Sequence, residues 1–258
     1  MSVILNVKVI FGILSLVWKL YISIVFFTLA IILYPFFLVV LSLPKYKKFS
    51  FKLFIFWSLL FRLFCLYPIR KIQHGSKPKG PYIIIANHTS YLDIFLMYSI
   101  LPSYPFVFLG KSEILSYPII RTYFKNLNIP VDRNNKSKAG QAYLAATKAV
   151  QDGYGLVIFP EGTFPTEDLP RMLPFKHGAF KLAKQLNVPI LPLTFMNNYK
   201  LFSDPSVILS PARPGLSIVH VHPLVTVETI QSMETSELSD YCYEVITAPL
   251  RAKNPEVY

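Results

Sequence analysis

A histidine and an aspartate five positions apart stand where the sequence changes from a strand pattern to a helix pattern. The apolar run 82–86 predicts a buried strand, and His88 follows it in the polar segment 87–91. A histidine in such a turn can present its ring to a cleft, and Asp93, one helical turn further on, can bind one ring nitrogen. The carboxylate would fix the imidazole tautomer and leave the second nitrogen free to accept a proton. The pair is a candidate general base with its orienting carboxylate.

The same aspartate also has a purely structural interpretation. Ser90 and Asp93 have the spacing of a capping box at a helix start, and such a box explains the carboxylate without catalysis. A histidine followed five positions later by an aspartate also occurs by chance in many proteins. The catalytic interpretation therefore depends on the rest of the sequence.

The sequence offers neither a protein nucleophile nor a metal site to accompany this pair. Segment 110–114 (GKSEI) lacks the final glycine of a nucleophile elbow, and there is no Walker A loop or dinucleotide fingerprint. Cys65 and Cys242 are the only cysteines, which excludes a disulfide scaffold, and no Cys or His spacing suits zinc. A histidine without a nucleophile suits direct attack by a substrate hydroxyl, with His88 as the general base.

Two cations outside the N-terminal region can serve an anionic substrate. Lys111 and Arg133 each lie close to a predicted strand end, where they can bind phosphate oxygens, Arg133 in a bidentate manner. The alternative for the arginine is an ordinary surface pair with its neighbour Asp132.

A tight turn after another predicted strand carries a further polar group. Residues 159–163 (FPEGT) follow the apolar run 155–159, and the proline and glycine hold a sharp backbone. We therefore predict that Glu161 and Thr163 point into the same cleft mouth. A plain β-turn would use the same residues, so this segment alone does not establish a site.

The elements that position these residues form an α/β pattern from about residue 66 onward. Short apolar runs predict buried strands at 82–86, 105–109, 155–159, 189–193 and 216–222. Helix patterns alternate with them at 90–100, 116–126, 137–151, 178–186 and 229–250. This alternation predicts an α/β fold with a mixed, largely parallel sheet flanked by helices.

Composition and charge exclude several classes of protein. The chain of 258 residues is 53% apolar and 16% charged, so it is not a disordered protein. It has 26 Lys and Arg against 14 Asp and Glu, and eleven of the basic residues precede the first acidic one, Asp93. These eleven punctuate apolar runs, which argues against a nucleic-acid-binding domain and indicates an anionic bilayer surface. They are Lys8, Lys19, Lys45, Lys47, Lys48, Lys52, Arg62, Arg70, Lys71, Lys77 and Lys79.

The N-terminal region is predicted to bind a membrane, with two topologies open. Residues 20–44 are 25 residues without a charge, enough to cross a hydrocarbon core of about 30 Å, and no signal-peptide cleavage site follows. Pro35 interrupts this run and basic residues flank both ends, which favours a helical hairpin broken near Pro35 over a single span. Residues 51–67 predict an interfacial helix, or alternatively a core helix. We thus divide the chain into membrane-anchoring helices at 1–66 and an α/β domain at 67–258.

Four segments taken together closely resemble the membrane-bound glycerolipid acyltransferases, specifically the 1-acylglycerol-3-phosphate acyltransferase family. They are N-H-x4-D at 87–93, G-K-x-E with V-D-R between 110 and 133, F-P-E-G-T at 159–163 and V-P-I-x-P at 188–192. The resemblance covers roughly residues 81–193. It implies acyl transfer from acyl-CoA or acyl carrier protein to the free hydroxyl of a lysophospholipid, in the first place 1-acylglycerol-3-phosphate, which gives phosphatidic acid.

The resemblance also implies roles for individual residues. It makes His88 the general base and Asp93 its orienting partner, assigns Glu161, Gly162 and Thr163 to the acceptor-binding loop, and lets Lys111 and Arg133 shape a phosphate site. It implies no metal and no bound cofactor. The expected partners are the lipid bilayer, the lysophospholipid, the acyl donor and, where the donor is an acyl carrier protein, that protein. No nucleic-acid partner is expected. The active site is expected to face the cytoplasm.

One residue departs from the family's pattern. The third motif usually continues with an arginine that contributes to phosphate recognition, but this chain has Phe164 there. Either another cation takes over or the acceptor is a different lysolipid, such as a lyso-aminolipid. The replacement cations are Arg171, Lys176, Lys111 and Arg121. A non-catalytic membrane lipid-binding protein is the competing hypothesis from a different class.

Overall fold

The computed structural model describes residues 2–76, 80–116, 118–132, 135–165, 168–204 and 207–258. The strands are β1 (Ile69–Gln73), β2 (Ile83–Ala86), β3 (Phe106–Lys111), β4 (Ile129–Val131), β5 (Gly155–Ile158), β6 (Ile190–Phe195) and β7 (Ser217–Val221). The helices are α1 (Ser2–Ser42), α2 (Ser50–Phe64), α3 (Leu92–Ile100), α4 (Pro118–Leu127), α5 (Lys136–Gln151), α6 (Gly178–Leu186), α7 (Asn198–Leu201), α8 (Val227–Ser232) and α9 (Thr235–Lys253). Short 3₁₀ helices cover Pro44–Phe49 and Ser112–Ser116.

The strands form one sheet in the order β1-β7-β6-β2-β5-β3-β4. Neighbouring strands are parallel except β6 and β7, so β1 and β7 run opposite to the other strands. The predicted mixed, largely parallel sheet flanked by helices is confirmed. The carboxyl ends of β2, β5, β6 and β3 meet at one edge of the sheet, where a fold of this type places its ligands.

The central strands are buried on both faces because successive side chains point to opposite sides. In β2, Ile84 packs into the core cluster that also contains residues of α1, α2 and α3. Its neighbours Ile83 and Ile85 pack on the other side, against residues of α5, α6 and α9. This two-sided burial explains why the strand has an unbroken apolar sequence.

The sequence prediction missed both edge strands and one helix break. Strand β1 reads IRKIQ and exposes its charged residues, and β4 (IPV) is apolar but only three residues long, so neither shows an apolar run of the length of a buried strand. The single helix predicted over 229–250 is two helices, α8 and α9. Glu234 begins the second one through a capping box with Glu237.

Helix α1 continues through Pro35, so the hairpin break expected there is absent. A proline removes one intrahelical hydrogen bond, and here the surrounding turns are held by packing. Phe37 is fully buried, with its ring centroid 4.6 Å from that of Phe54 and 4.8 Å from that of Tyr123. A hairpin does form, but its turn lies in the 3₁₀ helix Pro44–Phe49, after which α2 packs back along α1.

Helix α2 combines the two interpretations that the sequence left open. Phe51, Phe54 and Trp57 are buried in the same cluster as the sheet, as a core helix requires. Leu59 and Leu63 on the opposite face are more than half exposed, as an interfacial helix requires. The division into residues 1–66 and 67–258 stays a prediction, because this hydrophobic cluster is continuous across it.

Candidate active site

The site begins where β2 ends, and a buried asparagine fixes that strand end. The side-chain amide of Asn87 both donates to and accepts from the backbone of Phe195 at the end of β6. Its Nδ2 donates to the Phe195 carbonyl at 2.9 Å, and its Oδ1 accepts from the Phe195 N–H at 2.7 Å. The next residue, His88, is therefore held at the carboxyl edge of two neighbouring strands.

His88 and Asp93 form the predicted pair. The Nδ1 atom of His88 lies 3.0 Å from Oδ2 of Asp93, whose side chain is fully buried at the start of α3. The same carboxylate oxygen accepts the backbone N–H groups of Thr89 at 2.9 Å and Ser90 at 3.0 Å. Asp93 thus holds the turn that precedes α3 and orients the histidine at once, so a structural role and an orienting role are not exclusive. With Nδ1 engaged, Nε2 is the nitrogen left for a substrate proton.

Aromatic rings enclose the imidazole. The ring of Phe159 stacks on that of His88 with centroids 3.8 Å apart and planes at 11°, and Phe164 lies 4.3 Å away at 50°. Tyr91 meets Phe164 edge-on at 5.0 Å. The His88 side chain is 13% exposed. The candidate base therefore sits in an apolar pocket that opens to solvent over a small area.

Glu161 faces inward, whereas the turn sequence predicts that it points into the cleft mouth. The side chain is buried, with Oε1 accepting the backbone N–H of His88 at 2.7 Å and Oε2 that of Leu173 at 2.7 Å. Burial raises the pKa of Glu161 to about 7, and the two backbone hydrogen bonds offset part of that rise. The carboxylate thus ties the backbone of His88 to that of Leu173, and the substrate-binding role of Glu161 stays a prediction.

The turn itself requires its glycine. Gly162 has φ +80°, a conformation that L side chains rarely adopt, and its N–H donates to the carbonyl of Phe159 at 3.0 Å. Thr163 follows with an exposed side chain. Of the predicted acceptor loop, the threonine is the residue presented to solvent.

The candidate phosphate-binding cations differ in how they lie relative to His88 and the turn at 159–163. Lys111 is the last residue of β3, exposed at the same sheet edge as His88. Arg133 lies outside the described residues, so its role stays a prediction. Lys176 is exposed, and its backbone N–H donates to the carbonyl of Pro160 at 2.9 Å, which brings it beside the turn. Within the described part of the chain, no group of three or more His, Cys, Asp and Glu is arranged to hold a metal ion.

Two residues that sequence reasoning missed complete the site. Asn198 in α7 donates from Nδ2 to Oδ1 of Asp93 at 2.7 Å, and Ser217 at the start of β7 donates to Oδ1 of Asn198 at 2.7 Å. Both lie outside the four motifs. A lone buried asparagine or serine carries no recognisable pattern, so nothing in the sequence points to them.

Comparisons with known proteins agree on one family. A family model described as Acyltransferase matches residues 68–196. The putative 1-acyl-sn-glycerol-3-phosphate acyltransferase acl-2 of Caenorhabditis elegans is 32% identical over 67% of this chain, which spans 60% of the length of that relative. The 1-acyl-sn-glycerol-3-phosphate acyltransferase of Borreliella burgdorferi is 30% identical over 70% of this chain, and the match covers 72% of the length of that relative. The crystal structure of the 1-acyl-sn-glycerophosphate (LPA) acyltransferase PlsC from Thermotoga maritima superposes with a TM-score of 0.76 at 22% identity, covering 94% of this chain and 97% of the other.

Proposed function

Because this chain belongs to the acyltransferase family, we propose that it acylates the free hydroxyl of a lysophospholipid, converting 1-acylglycerol-3-phosphate to phosphatidic acid. The observation that carries the proposal is the contact of 3.0 Å between His88 Nδ1 and Asp93 Oδ2. The family uses no bound cofactor, and the acyl donor is itself a substrate. The named activity of the relatives supports the choice of acceptor.

The mechanism is general-base catalysis of a direct acyl transfer. Nε2 of His88 takes the proton of the acceptor hydroxyl as its oxygen attacks the thioester carbonyl. The tetrahedral intermediate then collapses, the carbon–sulfur bond breaks, and the imidazolium returns the proton to the thiolate. Asp93 holds the tautomer and balances the positive charge on the ring. Base catalysis of this kind contributes about 10²–10⁴-fold in rate.

Both donors stay in the proposal. Acyl-CoA and acyl carrier protein present the same thioester carbonyl to His88, so the residues at the base do not separate them. Turnover measured with equal concentrations of the two thioesters decides which one the protein uses.

Phe164 supports a second candidate acceptor. Where the family's third motif usually has an arginine, this chain places an uncharged ring 4.3 Å from that of His88. Lys111, Arg121, Arg171 and Lys176 are exposed cations that can replace the missing charge for lysophosphatidic acid. A different lysolipid, such as a lyso-aminolipid, is the acceptor if they do not.

The exposed apolar surface supports membrane association. The segment Val9–Ser42 of α1 is long and apolar enough to cross a membrane, and 22% of the 18-residue window that meets this criterion is buried. The segment also packs lengthwise on the rest of the chain. Lys19 donates to the carbonyls of Val207 and Ile208 at 2.7 and 3.1 Å, and Tyr123 donates to that of Ala30 at 2.6 Å. This packing favours a helix hairpin embedded from one side over a span that leaves the domain, and the basic N-terminal residues favour the cytoplasmic side.

One assay tests the activity and the acceptor together. The full-length protein, purified in detergent, is incubated with radiolabelled acyl-CoA and a panel of lysolipids, with His88→Ala as the matched control. We expect labelled phosphatidic acid from the wild type and about 10²–10⁴-fold less from the variant. Labelled product from another lysolipid alone identifies the second acceptor. If folded wild type binds lysolipids and yields no product from any donor, the lipid-binding hypothesis replaces the enzyme.

A further inference from the structure

We propose that Asn198 and Ser217 are positioning residues for the catalytic pair: Asn198 holds the carboxylate of Asp93 toward His88, and Ser217 anchors the amide of Asn198. This inference rests on the proposed function, since it concerns how the general base is oriented. The two residues lie beyond positions 68–196, the part of the chain that the family model matches.

The four side chains form a continuous hydrogen-bonded chain. It runs from His88 Nδ1 to Asp93 Oδ2 at 3.0 Å, from Asp93 Oδ1 to Asn198 Nδ2 at 2.7 Å, and from Asn198 Oδ1 to Ser217 Oγ at 2.7 Å. Asp93, Asn198 and Ser217 are each 0% exposed. In such surroundings water cannot replace a lost partner, so each link constrains the next.

Asn198 has a task that no other described residue shares. Three donors, one from His88 and two from the backbone, converge on Oδ2 of Asp93. Among the hydrogen bonds of the described residues, the other oxygen, Oδ1, accepts only from Asn198. Without that amide, a buried carboxylate oxygen loses its partner and the carboxylate can rotate away from the imidazole.

Ser217 anchors the asparagine at its other end. A side-chain amide has two orientations of nearly equal shape, and the Asp93 carboxylate, which only accepts hydrogen bonds, excludes the one that would turn the amide oxygen toward it. The Ser217 hydroxyl donates to the amide oxygen on the opposite side at 2.7 Å. The serine therefore holds the amide in place while Nδ2 binds the anion.

The backbone on both sides holds these residues in register. Asn197 donates from Nδ2 to the carbonyl of Leu216 at 2.8 Å and accepts from the N–H of Ile218 at 3.0 Å. These two bonds flank Ser217 and fix the start of β7 to α7. The geometry is thus supplied by one strand and one helix that are brought together only in the folded chain.

The deciding variant is Ser217→Ala, which removes one hydroxyl and leaves the backbone bonds. We expect kcat to fall at least threefold, and Asn198→Ala to lower it about 10- to 100-fold, with KM for donor and acceptor within twofold of wild type. Ser239→Ala removes a buried hydroxyl of α9 that is not part of the hydrogen-bonded series from His88 to Ser217. It serves as the matched control, and its kcat should be unchanged. A decrease of less than threefold for the folded Ser217→Ala protein overturns the proposal.

Double-variant cycles separate positioning from a general loss of stability. Because Ser217 acts through Asn198, adding Ser217→Ala to Asn198→Ala should leave kcat unchanged. Adding Ser217→Ala to His88→Ala should likewise leave the residual rate unchanged. If the Asn198→Ala protein does not fold, this second cycle is the one that tests the proposal. Additive losses in both cycles would refute the positioning role. If wild type itself transfers no acyl group, the proposed function fails; a normal Ser217→Ala enzyme alone removes only this inference.

Discussion

The rings of Phe164 and His88 are in contact, with centroids 4.3 Å apart and planes at 50°. The residue that departs from the family's third motif thus lies directly on the proposed base. Tyr91 supports Phe164 edge-on from the other side. A change at position 164 will consequently act on the reacting end of the acceptor.

We expect Phe164→Arg to favour acceptors with a terminal phosphate. A guanidinium at this position can form charge-assisted bonds to phosphate oxygens, which a phenyl ring cannot. The ratio of kcat/KM for 1-acylglycerol-3-phosphate to that for lysophosphatidylcholine should rise about tenfold. Phe164→Leu, which keeps the position apolar, is the matched control. An equal ratio in the two variants would show that the position does not read the headgroup.

We expect His88→Ala to lower acyl transfer by about 10²–10⁴-fold, because it removes the proton acceptor. Asp93→Asn should also impair turnover while vesicle binding stays at the wild-type level. Turnover, melting temperature and vesicle binding are measured on the same preparations. If Asp93→Asn only lowers the melting temperature, the carboxylate stabilises the turn before α3 and does not orient the base.

We expect Glu161→Gln to cost about 1–3 kcal/mol of stability, because the amide nitrogen cannot accept one of the two backbone N–H groups. The stability of the variant should also lose the pH dependence that Glu161 gives the wild type. Burial raises the pKa of Glu161 from its ordinary value near 4.5 to about 7, so between these values the folded chain holds a proton that the unfolded chain has lost. Wild-type stability from this group therefore falls as the pH rises from 4.5 to 7. Denaturation at several pH values checks whether this slope disappears in the variant.

His222 should give the opposite slope. Burial, with the neighbouring His74 and His220, lowers its pKa from 6.5 to about 4, and its Nε2 lies 2.8 Å from Oγ1 of Thr194. Between these pH values the unfolded chain binds a proton that the folded chain does not, so stability falls as the pH drops from 6.5 to 4. His222→Gln should remove that loss. If the free energy of unfolding of the variant falls between pH 6.5 and 4 as much as that of the wild type, His222 is not the group responsible.

We expect replacement of Lys45, Lys47 and Lys48 by glutamine to weaken binding to anionic vesicles by about 1 kcal/mol per lysine. Acyl transfer in detergent should be unchanged, because the base is not altered. Lys138, Lys148 and Lys181 replaced in the same way form the control with equal charge loss. Sedimentation with vesicles at low and high salt measures both, and equal binding of the two triple variants would argue against an N-terminal electrostatic contact.

Much of the fold followed from local sequence. Runs such as 82–86 and 155–159 predicted strands because a strand buried on both faces needs consecutive apolar residues. Strand β1 and the break between α8 and α9 were missed, since a charged edge strand and a short capped interruption lack such a run. Pro35 was predicted to break its helix, and packing of Phe37 against α2 and α4 overrides that propensity.

The sequence by itself determined that His88 and Asp93 meet at the end of β2, because the two residues are close enough along the chain for their spacing to carry meaning. It could not determine what surrounds them. Glu161 reaches His88 across 73 positions and Asn198 reaches Asp93 across 105, and no local pattern records such distances. Only the parallel ordering of β2, β5 and β6, with β7 reversed beside them, brings these groups to one edge. Buried hydrogen bonds without access to water then decide which way each side chain points.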